Sequence, residues 1–293
     1  MNNLHLRNRV KLHVIRRAGR YWLPGSDVAK EIVKIYGDLI RDGDTVVVSD
    51  KALSIALGSI YDESLMSADP VTIVMTFLTS RVVWGYLLKK LFVNVDTVRI
   101  LCKTPLNLLA KHKKLALYYG GIKHFLKPVS ESGIDTVNLP YYYVSIPLRN
   151  VDVVAREIKQ SIDRVLSVDV NILVVDTDRC YVPKHTRSIA LATRPSTVKG
   201  VIDFGVLAYV LGRVFRSSFR RFPTPTAYVG TQLDLYTILR LARAAEKFRG
   251  YGVGRNIIES IKAFNGDGLR SLTWSALRRV KHYPALILRF KKL

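Results

Sequence analysis

The sequence predicts a mixed fold of helices and strands that is divided into two lobes. Its 293 residues exceed the length that one hydrophobic core usually supports. Hydrophobic residues form 48% of the chain and charged residues 24%, which is typical of a globular protein and argues against disorder. Short apolar runs alternate with longer stretches of helical periodicity. We predict a lobe boundary near Arg149 and Asn150, which gives residues 1–150 and 151–293.

In the first lobe, apolar spacing and capping residues define the predicted elements. Ser26 can cap a helix, and Asp69 followed by Pro70 is typical of a helix start. The predicted strands span residues 9–16, 45–49, 97–101 and 140–147. The predicted helices span residues 28–40, 52–60, 71–92 and 105–117.

The apolar stretch over residues 71–92 is predicted to be a buried helix and not a membrane span. It carries Arg81, Lys89 and Lys90, and charges near the centre of a span are costly. The amino terminus has no apolar core after its basic residues, so it does not resemble a secretory signal. Cys102 and Cys180 are the only cysteines, which favours a reducing compartment. We therefore expect a cytoplasmic protein with no membrane partner.

The second lobe is predicted to begin with an amphipathic helix that leads into a buried strand. This strand starts at Asn171, and the loop that follows residue 222 contains Pro223 and Pro225. The predicted elements are a helix at 151–166, strands at 171–175 and 188–193, a helix at 206–215, a loop at 223–226 and a helix at 233–248.

Acidic residues follow the buried strand of the second lobe. Asp176 and Thr177 come directly after four apolar residues, where a strand end would deliver hard oxygen donors. Asp135 lies on a turn led by Gly133 and is the obvious second carboxylate for a divalent cation. Alternatively, Asp176 simply starts a turn. A site built from Asp135 and Asp176 would lie where the lobes meet.

Several cationic groups are candidates for anion contacts. Lys51 follows a buried strand at the start of a helix, where a lysine and free amides suit a phosphate, although a solvated loop explains it equally well. Arg179 follows the acidic stretch and could meet phosphate or carboxylate. The glycine repeat that begins at Gly250 does not follow a strand, and no GxxxxGK[ST] sequence occurs, so a conventional P-loop is excluded.

The net charge is strongly positive. Lys and Arg number 46 against 23 Asp and Glu, a net charge of +23, so the protein should attract anions. Nucleic acid, anionic membrane and polyphosphate metabolites are all candidates. No zinc-finger spacing, RNA-recognition signature or basic zipper is present. Tyr141, Tyr142 and Tyr143 could stack on bases, but Val144 continues an alternating strand, which favours a half-buried sheet.

The succession of motifs resembles the γ-glutamyl ligases that add glutamate to the deazaflavin coenzyme F-420, as a divergent, archaeal-type member. The resemblance extends along most of the chain. It is carried by Pro24-Gly25-Ser26-Asp27, Asp42-Gly43-Asp44, Val46-Val47-Val48-Ser49-Asp50-Lys51, Gly133-Ile134-Asp135 with Asn138, Val174-Val175-Asp176-Thr177 and Ala244-Ala245-Glu246.

The resemblance implies an α+β fold of two lobes with the site between them, a homodimer, and an enzyme that forms a carbon–nitrogen bond with GTP and Mg²⁺ or Mn²⁺. Its substrates would be L-glutamate and an anionic acid. The implied metal ligands are Asp135, Asp176 and Thr177. The implied nucleotide-binding residues are Ser49, Asp50, Lys51, Asn138, Gly250 and Gly252.

The chain departs from the family pattern at several site positions. Asp50 stands where the family has serine, and Ile55 where it has a second lysine. Tyr251 replaces a glutamine ligand, and Asp178 replaces phenylalanine. The ligase is therefore our first hypothesis. The second is a divergent enzyme or binding protein for another phosphorylated metabolite, and the third is a nucleic-acid-binding protein.

Overall fold

A seven-stranded mixed sheet forms the centre of the computed structural model, which describes residues 10–89, 95–128, 131–136, 139–140, 142–249 and 272–292. The strands are β1 (Val10–Ile15), β2 (Gly19–Arg20), β3 (Thr45–Ser49), β4 (Ile60–Asp62), β5 (Tyr143–Ser145), β6 (Asn171–Pro183), β7 (Ala190–Ala192), β8 (Val201–Asp203), β9 (Phe219–Val229), β10 (Lys281–His282) and β11 (Ala285–Lys292).

Helices cover both faces of this sheet, which confirms the mixed α+β class. They are α1 (Val28–Tyr36), α2 (Asp50–Ala56), α3 (Pro70–Thr76), α4 (Val95–Lys103), α5 (Leu106–Gly120), α6 (Ile122–Phe125), α7 (Val151–Leu166), α8 (Val206–Val214), α9 (Leu235–Arg249) and α10 (Trp274–Arg278). The helix α3 continues as a π-helical segment, Phe77–Leu87, and short 3₁₀ turns occupy Glu63–Leu65 and Glu131–Gly133.

The sheet runs in the order β1, β11, β3, β6, β7 and β8, and β9 pairs with β6. β3 lies parallel to the first part of β6, with Thr45 opposite Asn171. β7 and β9 are both antiparallel to β6. Strands from both sides of residue 150 therefore share one sheet, while the division of the chain into lobes at that residue stays a prediction.

The central strands are buried on both faces because helices pack above and below them. Val46 and Val48 of β3 face one core together with Ile32 of α1 and Ile158 of α7. Val47 points the other way, into a second core that α9 completes. Alternate residues of a strand point to opposite faces, so a continuous valine run is what a doubly covered strand requires. The strand predicted at residues 45–49 is thus confirmed, and its continuous apolar sequence is explained by burial on both faces.

A helical layer lies beside the sheet and contacts the segment that carries Asp135. Leu115 of α5 packs with Ile134 and Val144, next to the small antiparallel pair of β4 and β5. Trp84 of the π-helical segment meets Tyr209 of α8 edge to face, with ring centroids 5.7 Å apart. This layer therefore joins the Asp135 turn to the main body.

Four predicted elements are wrong. Residues 97–101 belong to the helix α4, and the helix predicted to reach residue 60 ends at Ala56, before β4. The predicted loop with Pro223 and Pro225 lies inside β9. Among the described strands β9 pairs only with β6, and an edge strand tolerates a missing backbone donor. Finally, β6 does not end before Asp176 but continues to Pro183.

The prediction of a buried helix over residues 71–92 is also wrong in its burial. Within the described residues, Pro70–Leu87 is the one helix whose length and composition would let it cross a membrane, and only 28% of it is buried. Val71 and Val74 are 67% and 56% exposed. The apolar spacing correctly indicates a helix. Many of its apolar side chains, however, face outward.

Candidate active site

Lys51 and Asp135 form an ion pair at the junction of β3 and α2. The Nζ atom of Lys51 lies 2.6 Å from Oδ2 of Asp135, and the two side chains are 20% and 35% exposed. Lys51 is placed by the first turn of α2, directly after the last residue of β3. Asp135 is held by two backbone hydrogen bonds with Ser145 of β5. Both charged groups are therefore fixed by backbone structure and remain accessible to solvent.

Arg194 lies beneath this pair and binds two carboxylates. Its Nη1 donates to Oδ2 of Asp50 at 2.8 Å and also contacts Oδ2 of Asp176. The Arg194 side chain is only 3% exposed. Burial opposes its charge, but attraction to Asp50 and Asp176 outweighs burial and raises the arginine pKa above its usual value. Thr226 donates to the other oxygen of Asp50 at 2.9 Å.

The turn that carries Asp135 rests directly on Arg194. A Cβ added at Gly133 would lie 2.7 Å from Cζ of Arg194, and this glycine has a φ of +79°. Both its conformation and the close approach therefore require glycine. This contact brings the Asp135 turn, the start of α2 and β6 to one location. The structure thus places the predicted residues Asp50, Lys51, Asp135 and Asp176 around Arg194.

An irregularity in β6 sets the position of the acidic residues there. The pairing of β6 with β9 shifts register between Asp176 and Arg179, which leaves Thr177 and Asp178 out of the ladder. Such bulges re-aim side chains and are common next to active sites. The backbone N–H of Thr177 donates to Oδ1 of Asp176 at 2.7 Å. Lys127 donates to the carbonyl of Thr193 at 2.8 Å and lies 3.4 Å from Asp178.

Other predicted site residues have structural partners. Ser49 is buried, and its backbone N–H donates to the carbonyl of Pro284. Arg179 pairs with Glu246 of α9 at 2.8 Å, so its predicted anion contact would compete with this pair. Asn138, Gly250 and Gly252 lie outside the described residues, as does Tyr251.

The oxygen atoms of the predicted metal ligands suit a hard divalent cation chemically, but they are not arranged around a common position for one. Asp135 and Asp176 supply carboxylate oxygens and Thr177 a hydroxyl, which Mg²⁺ and Mn²⁺ accept. In this structure, however, Oδ2 of each carboxylate contacts a basic side chain. Within the described part of the chain, no group of three or more His, Cys, Asp or Glu side chains is arranged to hold a metal. A cation would therefore compete with Lys51 and Arg194 for these carboxylates, and the metal assignment stays a prediction.

A buried ionic network supports the Asp135 turn from below. His112 lies between Glu63 and Glu131, and Lys113 is 2.6 Å from Glu131. Burial disfavours the charged imidazole, but attraction to the two glutamates outweighs it and raises the pKa of His112 to about 10. Burial alone would raise the pKa of Glu131, yet Lys113 and His112 lower it below its usual range. Because Glu131 lies two residues before Gly133, this network anchors the turn.

The sequence analysis missed the central role of Arg194. This residue lies outside every motif used for the resemblance, and its two partners precede it by 144 and 18 residues. The available signal is local: a charged residue follows the short apolar strand β7 directly after Thr193. Asp50 and Asp178, the two acidic residues named above as departures, each form an ion pair in the structure, Asp50 with Arg194 and Asp178 with Lys127.

Comparison with known proteins identifies the family of this chain. Residues 20–203 match the family model described as F420-0:Gamma-glutamyl ligase. An uncharacterized protein of Methanocaldococcus jannaschii, MJ1361, is 31% identical over 290 residues, which cover 97% of this chain and 96% of that protein. Arg194 and its acidic partners Asp50 and Asp176 lie within the matched region, whereas Thr226 lies beyond it. The chain therefore belongs to the F420-0:Gamma-glutamyl ligase family.

Proposed function

We propose that this protein is a ligase that joins the amine of L-glutamate to a carboxylate of coenzyme F420-0 or a related anionic acid, with GTP as the phosphoryl donor. One observation carries the proposal beyond family membership: Lys51, Asp135, Asp50, Arg194 and Asp176 converge on one location from separate segments of the family region. A net charge of +23 would favour the approach of GTP and of the anionic acid.

The reaction consists of two transfers. In the first, a carboxylate oxygen of the acid attacks the γ-phosphorus of GTP, the bond to the β-phosphate oxygen breaks, and GDP leaves. In the second, the glutamate amine attacks the acyl carbon, inorganic phosphate leaves, and the amine loses a proton to form the amide. Both steps concentrate negative charge on phosphate oxygens, so positioning and electrostatic stabilisation dominate.

The exposure of each side chain suggests its role in this proposal. Lys51 is the accessible cation, and its flexible stem lets it turn from Asp135 toward a phosphate. Arg194 is buried and shared between Asp50 and Asp176, so we assign it the positioning of these carboxylates. The divalent cation that the resemblance implies remains part of the proposal, and no step is assigned to it. A homodimer likewise stays a proposal.

One observation favours the second candidate function, an enzyme or binding protein for a different phosphorylated metabolite. Ile55 stands where the family has a nucleotide-contacting lysine, and it is buried in a core cluster with Tyr21 and Leu277. It therefore packs in the interior and offers no cationic contact. The nucleotide preference of this chain could accordingly differ from that of its family.

The test is calorimetric titration with GTP, with and without Mn²⁺, followed by incubation with GTP, glutamate and coenzyme F420-0. We expect GTP binding, GDP release and a product heavier by one glutamate residue. Lys51→Ala should weaken binding, whereas the matched variant Lys34→Ala, at an exposed position of α1, should not. If GTP binds neither with Mn²⁺ nor without it, the ligase proposal is rejected and the second candidate function is favoured.

A further inference from the structure

The helical segment Pro70–Leu87 is amphipathic with its faces reversed. Six of its large apolar side chains, which we call the apolar face, are between 47% and 69% exposed; they are Val71, Val74, Phe77, Leu78, Tyr86 and Leu87. The inner side carries Thr72, Thr76 and Ser80, which are at most 6% exposed, and only near its end a large apolar residue, Trp84, at 4%. A helix of a water-soluble protein normally buries its apolar stripe and exposes its polar one. The apolar face is therefore suited to contact with something other than water.

The inner side identifies the kind of environment. Thr72, Thr76 and Ser80 recur every four residues, and small side chains at this spacing allow close approach to the neighbouring helices, α5 beside Pro70–Thr76 and α4 beside Phe77–Leu87. Within the described structure, the hydroxyls of Thr76 and Ser80 are buried without a hydrogen-bond partner. Large apolar side chains that face outward, over small hydroxyl side chains that face the protein, suit a helix whose outer face contacts lipid.

The charge around this segment indicates which kind of lipid it would meet. Residues 64–128 contain ten Lys and Arg but only two Asp and Glu. Two of the ten, Lys113 and Lys127, are buried, and Lys114 and Lys123 pair with carboxylates, which leaves six. At the end of the segment, Lys89 lies over the ring of Tyr86, 5.5 Å from its centroid. Tyrosine and lysine are favoured at the boundary between lipid and water. An anionic surface would attract this excess of positive charge.

We propose that the apolar face docks on an anionic membrane surface, with Pro70–Leu87 lying in the plane of the interface. The segment does not span, because its inner side is covered by α5 and α4 and Arg81 is held by the backbone carbonyls of Cys102 and Thr104. A second copy of the chain is disfavoured as the occupant, since it would bring two strongly basic surfaces together. This inference replaces the expectation of no membrane partner, which rested on the cost of Arg81, Lys89 and Lys90 in a membrane span.

Sedimentation of the full chain with vesicles tests the proposal. We expect binding to vesicles of phosphatidylglycerol and phosphatidylcholine that weakens with added salt, and little binding to phosphatidylcholine alone. The double variant Val74→Asp with Leu78→Asp should lose about tenfold or more in affinity, because two charges enter the lipid contact. The control Val165→Asp changes a valine that is 65% exposed on α7, outside the apolar face, and should bind normally.

A second variant keeps the apolar face and changes only the charge. Lys89→Glu with Lys103→Glu should reduce binding to the anionic vesicles, and thermal melts show whether each variant is folded. Unchanged binding of folded Val74→Asp with Leu78→Asp would overturn the proposal. Failure of the natural sequence to bind the anionic vesicles would also overturn it. If the natural sequence instead forms a dimer that the double variant Val74→Asp with Leu78→Asp abolishes, a second copy of the chain covers the apolar face.

Discussion

Two groups of opposite charges meet in the candidate site, and they differ mainly in exposure. The pair of Lys51 and Asp135 is partly open to solvent, whereas Arg194 is 3% exposed between Asp50 and Asp176. An accessible pair holds its partners weakly and can exchange them for a ligand. A buried group cannot lose one partner without leaving an uncompensated charge in the interior. The exposed pair of Lys51 and Asp135 is therefore suited to binding a ligand, whereas buried Arg194 is suited to positioning Asp50 and Asp176.

This comparison also explains how the chain accommodates its departures from the family. At Asp50, where the resemblance implies a serine, a buried carboxylate would be costly alone. Arg194 and Thr226 bind both of its oxygens. Asp178 is matched in the same way by Lys127. The acidic departures are therefore integrated into the structure.

The largest effect is expected from Arg194→Met, which removes the buried cation and leaves Asp50 and Asp176 facing each other. We expect the free energy of unfolding to fall by about 3–5 kcal/mol, as measured by urea denaturation. Arg17→Met provides the control, because it breaks an exposed pair with Asp38. Equal destabilisation by both variants would show that burial does not distinguish the two kinds of pair.

A pH-dependent loss of stability is expected from His112. Its pKa is raised from 6.5 to about 10 in the folded protein, so its contribution is complete below about pH 6.5 and is lost as pH rises through 10. Urea denaturation at pH 6, 8 and 10 should therefore show a falling difference between the natural sequence and His112→Gln. A constant difference would contradict the assigned charge of this network.

Loss of Lys51 should affect ligand binding more than folding. We expect Lys51→Ala to weaken GTP binding by about 10- to 100-fold, the usual effect of a charge-assisted hydrogen bond. The urea midpoint should change little, because the pair with Asp135 is solvated. A variant that binds GTP normally would remove Lys51 from the proposed site.

The two predicted metal ligands sharpen the comparison further. Asp135→Asn and Asp176→Asn should each remove most metal-dependent GTP binding, measured by titration with and without Mn²⁺. Only Asp176→Asn should also change stability, because Asp176 pairs with buried Arg194. Metal-dependent binding that survives in both folded variants would reject the metal assignment.

The sequence predicted elements best where local chemistry and packing agree. The helix predicted at residues 151–166 is α7 with the same bounds, because its apolar spacing matches the core that it meets. Residues 97–101 misled the prediction because a short apolar run does not separate helix from strand. Pro223 and Pro225 suggested a loop because proline lacks a backbone donor, a defect that the edge position of β9 tolerates.

By itself, the sequence determined the family and the buried valine strand, and it predicted most acidic and basic residues of the candidate site. Only the tertiary structure placed Arg194 between Asp50 and Asp176, because pairing across 144 residues depends on how β3, β6 and β7 assemble. It also decided which side of Pro70–Leu87 faces outward. Periodicity determines which residues share a helix face, but only the neighbouring elements determine whether that face is covered.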